Sequence, residues 1–327
     1  MKSLIAGIVL TGAALLLTGT APQALSQPTV KVARVGVLLY GTPDSDPNAK
    51  AFKQGLAELG YVEGKNLAMV YRYAEGKPER LAELAADLVL QKPDVILALG
   101  GDVAPFAKAA TQAIPIVAAF SNDPAGAGLV ASLAKPGGNV TGVSFVSSEL
   151  AAKRLQYLKQ AVPDIQRVAV LWNPDHVDPE FRETQAAGRL LGIRVQSLEI
   201  RSRADFDAAL RAATEQAAQA IVVVSSRLTS INRRLILDYA ARQRIPVVAG
   251  WGEWVEGGAL LSYGPDLDLM VRRAAAYVDR VLKGAKPAEL PIEQPTRFSL
   301  FISLRTARTL GLTIPPAQRL QAVHIVD

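Results

Sequence analysis

Short runs that are apolar at every position limit this chain more than any other feature. Residues 35–39 read VGVLL, 95–99 VILAL, 116–120 IVAAF and 168–172 VAVLW. A strand with one wet face alternates polar and apolar residues, so continuous runs of this length belong to strands buried on both faces. Between them lie segments with helical spacing. Leu81, Leu84, Ala85 and Leu88 share one helix face, as do Leu267, Met270, Val271, Ala274, Val278 and Val281. Strand–helix alternation of this kind requires a parallel sheet covered on both sides.

The rhythm occurs twice. Strands are expected at 34–40, 67–73, 95–99 and 116–120, with helices over 48–59, 81–88 and 105–112. The second series has strands at 168–172, 195–200, 220–224, 246–250 and 260–263, with helices over 151–162, 180–191, 204–217 and 230–243. The fold class is therefore α/β, with two parallel-sheet lobes joined near 140–147. Its 327 residues suit two modest domains. The expected division is 1–26 as a leader, 27–144 with a return segment at 265–290 as lobe one, and 145–264 with 291–327 as lobe two.

The first 26 residues resemble a secretory signal peptide. Lys2 precedes an apolar core from Leu4 to Leu17, and Ala24 and Ser26 offer the small side chains a signal peptidase reads. The core is shorter than the roughly 20 residues of a spanning helix. A periplasmic mature protein starting near Gln27 is expected. The absence of cysteine excludes disulfides, thiolate metal sites and a lipoprotein anchor. Two histidines, His176 and His324, are too few for a multi-histidine metal site. Net charge is +6, but Lys and Arg are scattered, the longest clusters being pairs such as Arg233-Arg234. This reads as a solvated surface, with no nucleic-acid partner.

Residues 121–145, SNDPAGAGLVASLAKPGGNVTGVSF, contain the spacing Gly126-x-Gly128-x-x-Ala131. A dinucleotide-binding turn needs such glycines directly after the first strand. Here they follow the fourth, with Ser121-Asn122-Asp123-Pro124 between. The stretch is read instead as a capped helix over 126–134, with Asp123-Pro124 at its start, leading through Pro136-Gly137-Gly138 into the second lobe.

DPAGAGLVASLAKPGGNVTGVSF (123–145), GYVEGKNL (60–67), EGGALLSYGPD (256–266), VLKGAKPAELPIEQPTRF (281–298) and LRTARTLGLTIPP (304–316) together resemble ABC-transporter substrate-binding proteins of the tryptophan/tyrosine-binding type. The resemblance implies a type I periplasmic-binding-protein fold, with two Rossmann-like lobes, three hinge crossings and a ligand held between them. It also implies a small-molecule ligand, aromatic or carboxylate-bearing, and the membrane subunits of an ABC importer as partners. A monomer is expected, touching the inner membrane only through the transporter. Two departures stand out: Ser303 replaces the usual Asn, where a hinge or cleft hydrogen bond would change, and the chain ends in AVHIVD.

Ligands of open α/β sheets bind outside the carboxyl ends of the strands. The candidate ligand-binding residues at those ends are Tyr40, Gly100, Gly101, Asp102, Phe120, Ser121, Asn122 and Asp123 in lobe one. Trp172, Asn173, Ser225, Ser226 and Trp251 are their counterparts in lobe two. Trp172 and Trp251 are favoured over Trp254 as aromatic flanks. Arg227 is read as a solvated or lobe-linking charge and His176 as a surface-loop histidine. No catalytic motif, cofactor or metal site is found. A ligand sensor feeding a membrane receptor and a secreted α/β enzyme are the alternative functions.

Overall fold

The computed structural model describes residues 32–42, 46–100, 102–121, 123–145 and 150–327. The leader at 1–26, Gly101 and Asn122 lie outside the described residues. Strands β1 (Ala33–Leu39), β2 (Leu67–Tyr73), β3 (Val95–Leu99), β4 (Ile116–Phe120) and β5 (Val140–Ser144) form one wholly parallel sheet in the order β2-β1-β3-β4-β5. Every residue of β3 and β4 is buried, as continuous apolar runs require. Helices α1 (Pro47–Glu58), α2 (Leu81–Leu90) and α3 (Ala104–Ala110) cover this sheet.

The second sheet repeats the pattern. Strands β6 (Arg167–Trp172), β7 (Arg194–Glu199), β8 (Ile221–Val223), β9 (Val247–Ala249) and β10 (Leu261–Gly264) run β7-β6-β8-β9-β10. Position for position, this is the strand order of lobe one. Around it lie α4 (Ala151–Ala161), α5 (Glu180–Leu191), α6 (Phe206–Glu215), α7 (Arg227–Ile231), α8 (Arg233–Gln243) and α9 (Glu253–Glu256). The helix expected over 230–243 is broken at Asn232, whose Nδ2 donates to the Leu228 carbonyl at 2.9 Å and closes off α7.

After β10 the chain returns to lobe one as α10 (Leu267–Leu282), which packs on α1, β3, β4 and β5. Asp266 caps it, accepting from Leu269 N–H at 2.9 Å. The chain then runs along the free edge of β5, where Glu293 N–H donates to Gly142 O at 3.0 Å and Ser144 N–H to Glu293 O at 2.8 Å. It re-enters lobe two as β11 (Ser299–Ser303), α11 (Leu304–Leu310), α12 (Pro316–Gln321) and β12 (Ala322–Val326). The chain thus passes three times between the sheets: between β5 and α4, between β10 and α10, and ahead of β11. Gly142 is dictated by this layout. At φ +144°, a Cβ there would lie 1.9 Å from Ala118 O.

Three readings need correction. Residues 123–131 form turns and not a helix. Asp123 accepts from Ala125 N–H at 3.0 Å, Gly128 sits at φ +67°, and Leu129 N–H reaches Pro124 O. Two glycines in so short a segment weaken a helix, and buried Leu129 and Val130 pin the turns to the lobe-one core. The second sheet is not purely parallel, because β11 runs antiparallel to β10, and the AVHIVD ending supplies an extra edge strand, β12, parallel to β11. Finally, Ser303 lies in neither hinge nor cleft: fully buried, it caps α11 by accepting from Thr306 N–H at 3.0 Å.

Candidate functional site

In the strand order 2-1-3-4-5, successive connections leave β1 and enter β3 on opposite sides, opening a crevice at the carboxyl ends of these two strands. The same holds for β6 and β8. The two crevices face each other across the lobes, and charged side chains bridge them.

Asp46, just ahead of α1, caps that helix by accepting from Asn48 N–H at 3.0 Å. Its other oxygen takes a hydrogen bond from Arg227 Nη2, at the start of α7 in lobe two. Both side chains are almost wholly buried. Gly100 makes the crossing possible: at φ +119°, its missing Cβ would stand 2.7 Å from Arg227 Cγ. Beside it Asp102, between β3 and α3, takes the Arg227 backbone N–H at 3.0 Å and is paired with His176 Nδ1 from the loop after β6.

These contacts set the local protonation. Burial opposes charge on Asp102, but the His176 charge and hydrogen bond, with the Arg227 N–H, hold its carboxyl below the ordinary range. Burial likewise opposes charge on His176, and Asp102 more than offsets it, raising the imidazole to about 9. Tyr40, at the end of β1, is pushed up to about 12 by burial and then by Asp102. Behind His176 lies a second buried group in lobe two. Arg154 of α4 pairs with Glu180 of α5 and donates from Nε to Tyr263 O at 2.8 Å, while Glu180 also receives Ser225 N–H at 3.3 Å.

Two cavities flank the bridges. One of about 370 Å³ is walled by Tyr40, Asp102 and Phe106 from lobe one and by Asn173, Val177 and Arg201 from lobe two. The other, about 170 Å³, is lined by Asn48 and Leu267 from lobe one and by Arg227, Ile231 and Trp251 from lobe two. Among the described residues, the buried polar atoms at these crevices without a hydrogen-bond partner include Asn48 Oδ1, Ser121 Oγ, Arg227 Nε and Trp251 Nε1, and, on the loop after β6, His176 Nε2 and Asp178 Oδ2.

Of the sequence candidates, the structure brings Tyr40, Gly100, Asp102, Asn173 and Trp251 to the cleft, with Ser121 buried at the end of β4. Asn173 also turns its own loop, accepting from Asp175 N–H at 2.9 Å. Others serve their own lobe. Phe120 is fully buried in the lobe-one core. Asp123 is an exposed turn cap. Ser226 caps α7 by accepting from Thr229 N–H, and Ser225 binds Glu180 through its backbone. Trp172 stacks on Phe181 at 4.3 Å, and its Nε1 donates to Ser197 Oγ at 2.8 Å, so its ring is committed to lobe two. His176 is not a surface residue: it is 3% exposed and reaches lobe one. Asp46 and Phe106 escaped the sequence reading. Asp46-Pro47 carried a usable signal, a cap followed by proline just beyond the first strand.

Residues 35–325 match the family model described as ABC transporter substrate binding protein. A tyrosine-binding protein of Clostridioides difficile (strain R20291) is 26% identical over 286 residues, 86% of this chain and 80% of that one. The crystal structure of an ABC domain in complex with L-Trp from Streptococcus pneumoniae superposes with a TM-score of 0.84 at 26% identity, covering 90% of this chain and all of that one. A conserved domain protein from Vibrio cholerae has the same TM-score at 29% identity, with the same coverage. The two lobes are those of the type I periplasmic binding proteins, which bind solutes and are not enzymes. By sequence across nearly its whole length, and by fold, the chain belongs to the family of ABC transporter substrate binding proteins.

Proposed function

We propose that this chain is the solute-binding component of an ABC importer and closes its two lobes over one small aromatic molecule bearing a carboxylate. The observation that carries the reading is the set of buried polar atoms without partners, drawn from both lobes and gathered at the facing strand ends. Buried polar groups in native proteins are nearly always hydrogen-bonded, so each such atom calls for an explanation. A guest with polar ends supplies one. Tyr40, Phe106 and Trp251 offer flat apolar walls beside them. The tyrosine-binding relative and the L-Trp complex give the ligand class its support.

Export by the leader at 1–26, residence in the periplasm and a monomeric state belong to the same reading. So does the division into lobe one (27–144 with 265–290) and lobe two (145–264 with 291–327). Among the described residues no helix is long and apolar enough to cross a membrane. Native mass spectrometry of protein purified without refolding tests the proposal: a retained small molecule, one per chain, is the expected result. Calorimetric titration with L-tryptophan, L-tyrosine and benzoate then ranks the class. Binding of none, with no co-purified solute, would overturn it.

A further inference from the structure

His176 and Asp102 belong to different lobes. Asp102 follows β3 in the first sheet and His176 follows β6 in the second, yet their side chains are paired and shielded from solvent. Three charged groups besides Asp102 bear on the imidazole or its partner: Asp178, Glu180 and Arg227. Asp178, on the same loop, places Oδ2 3.8 Å from His176 Nε2. Glu180, at the start of α5, is paired with Arg154 of α4. The Arg227 guanidinium of α7 is engaged by Asp46, while its backbone N–H shares Asp102. Asp102 thus has His176 as its side-chain counter-charge, and an unpaired buried carboxylate is strongly unfavourable.

We infer that His176 is a positioning residue, the cationic half of a latch that only closed lobes can make, and that closing them takes up one proton from solvent onto its imidazole. Opening carries Asp102 away with lobe one and leaves His176 in lobe two beside Asp178. The ring then loses the main partner that stabilises its charge, and its proton returns to water. The inference rests on the proposed binding by lobe closure, and it adds that protons and ligand favour the same state.

The sign is fixed by the geometry. His176 holds its proton up to about pH 9 in the closed form, and less firmly when Asp102 is gone. Closure is therefore favoured fully below the open-state value and loses this contribution as pH rises through about 9. Between the two values, ligand affinity falls by up to about tenfold per pH unit.

The test uses the full mature chain, whose two histidines, His176 and His324, give two imidazole signals by NMR. His176 is expected to titrate well above the ordinary histidine range, and in Asp102→Asn to fall back toward it. Small-angle scattering of the ligand-free chain should show a larger radius of gyration at pH 10 than at pH 7, with no change in His176→Gln. Titration of His176 in the ordinary histidine range, or a radius independent of pH in the wild type, overturns the latch. A calorimetric arm with L-tryptophan as probe, in buffers of different ionisation heat and at a pH where scattering shows the ligand-free chain open, should show net proton uptake on binding, absent in His176→Gln. Binding without uptake overturns the coupling. No binding counts against the proposed ligand class, while the two ligand-free measurements still decide the latch.

Discussion

Arg227 lies over a glycine because no other residue leaves room for it. Gly100→Ala adds a Cβ 2.7 Å from Arg227 Cγ at a positive φ, so the arginine side chain must shift away from it. Backbone strain at such a site costs about 1–3 kcal/mol, and denaturant melts of the ligand-free chain should show a loss of at least that size. Asp46→Ala removes the partner of a buried guanidinium, which costs about 3–5 kcal/mol, and the α1 cap as well. A double cycle with Arg227→Met should recover a large part of the loss, because the second change deletes the stranded charge. No recovery would mean that Asp46 acts mainly as a helix cap. The two strand-end tryptophans separate just as clearly. Trp172→Ala should lower stability by less than the roughly 3–5 kcal/mol of a fully buried aromatic, because the ring is only partly buried, and leave affinity for the bound solute unchanged, since the ring is stacked on Phe181. Trp251→Phe keeps the edge contact with Phe145, where the centroids are 6.3 Å apart, but loses the unpartnered Nε1–H. Weaker binding with a nearly unchanged melting temperature is expected by calorimetry and thermal melting. Sequence could place Trp172 and Trp251 at strand ends but could not say which way each ring turns. That depends on Phe181 and Ser197 in one case and Phe145 in the other, all remote in sequence.

At the level of elements, periodicity succeeded where burial is one- or two-sided and failed where it is shared. β2, β3 and β4 were readable to the residue because their edges coincide with turn residues or charges. The turns at 123–131 were misread as a helix because Asp-Pro is a good helix start and Leu129 and Val130 look like a helix face. Only the tertiary anchoring of those two side chains distinguishes the outcomes. β12 was missed because Val323 and Ile325 are partly or largely exposed, so the strand has no complete apolar signature and is specified by pairing with β11. α10 was legible as a long amphipathic helix, and its cap gives a prediction: Asp266→Ala should cost about 1 kcal/mol, seen as a lower denaturation midpoint. Gly142→Ala should be far worse, at least about 3 kcal/mol, since the new Cβ would collide with Ala118 O between β4 and β5.

Across the whole molecule, one apolar cluster runs from Val35 and Leu97 of the first sheet through Phe145 and Trp251 to Val223 of the second sheet and Ile236 of α8. Lobes that share buried side chains should unfold together, so scanning calorimetry is expected to show one transition. Two resolved transitions would mean that the hinge couples them weakly. A ligand at about one hundred times its Kd should raise stability by about 2.7 kcal/mol. The repeat of one strand order in both sheets has a further consequence, visible when the lobes are imagined apart. The lobe-one rim then carries two carboxylates, Asp46 and Asp102, while the lobe-two rim carries the Arg227 guanidinium. The gap between them behaves as a small charged capacitor with a fixed direction of field. A dipolar guest drifting into it is turned before it is touched, its positive end toward lobe one and its negative end toward lobe two, so orientation is selected during capture and not after it.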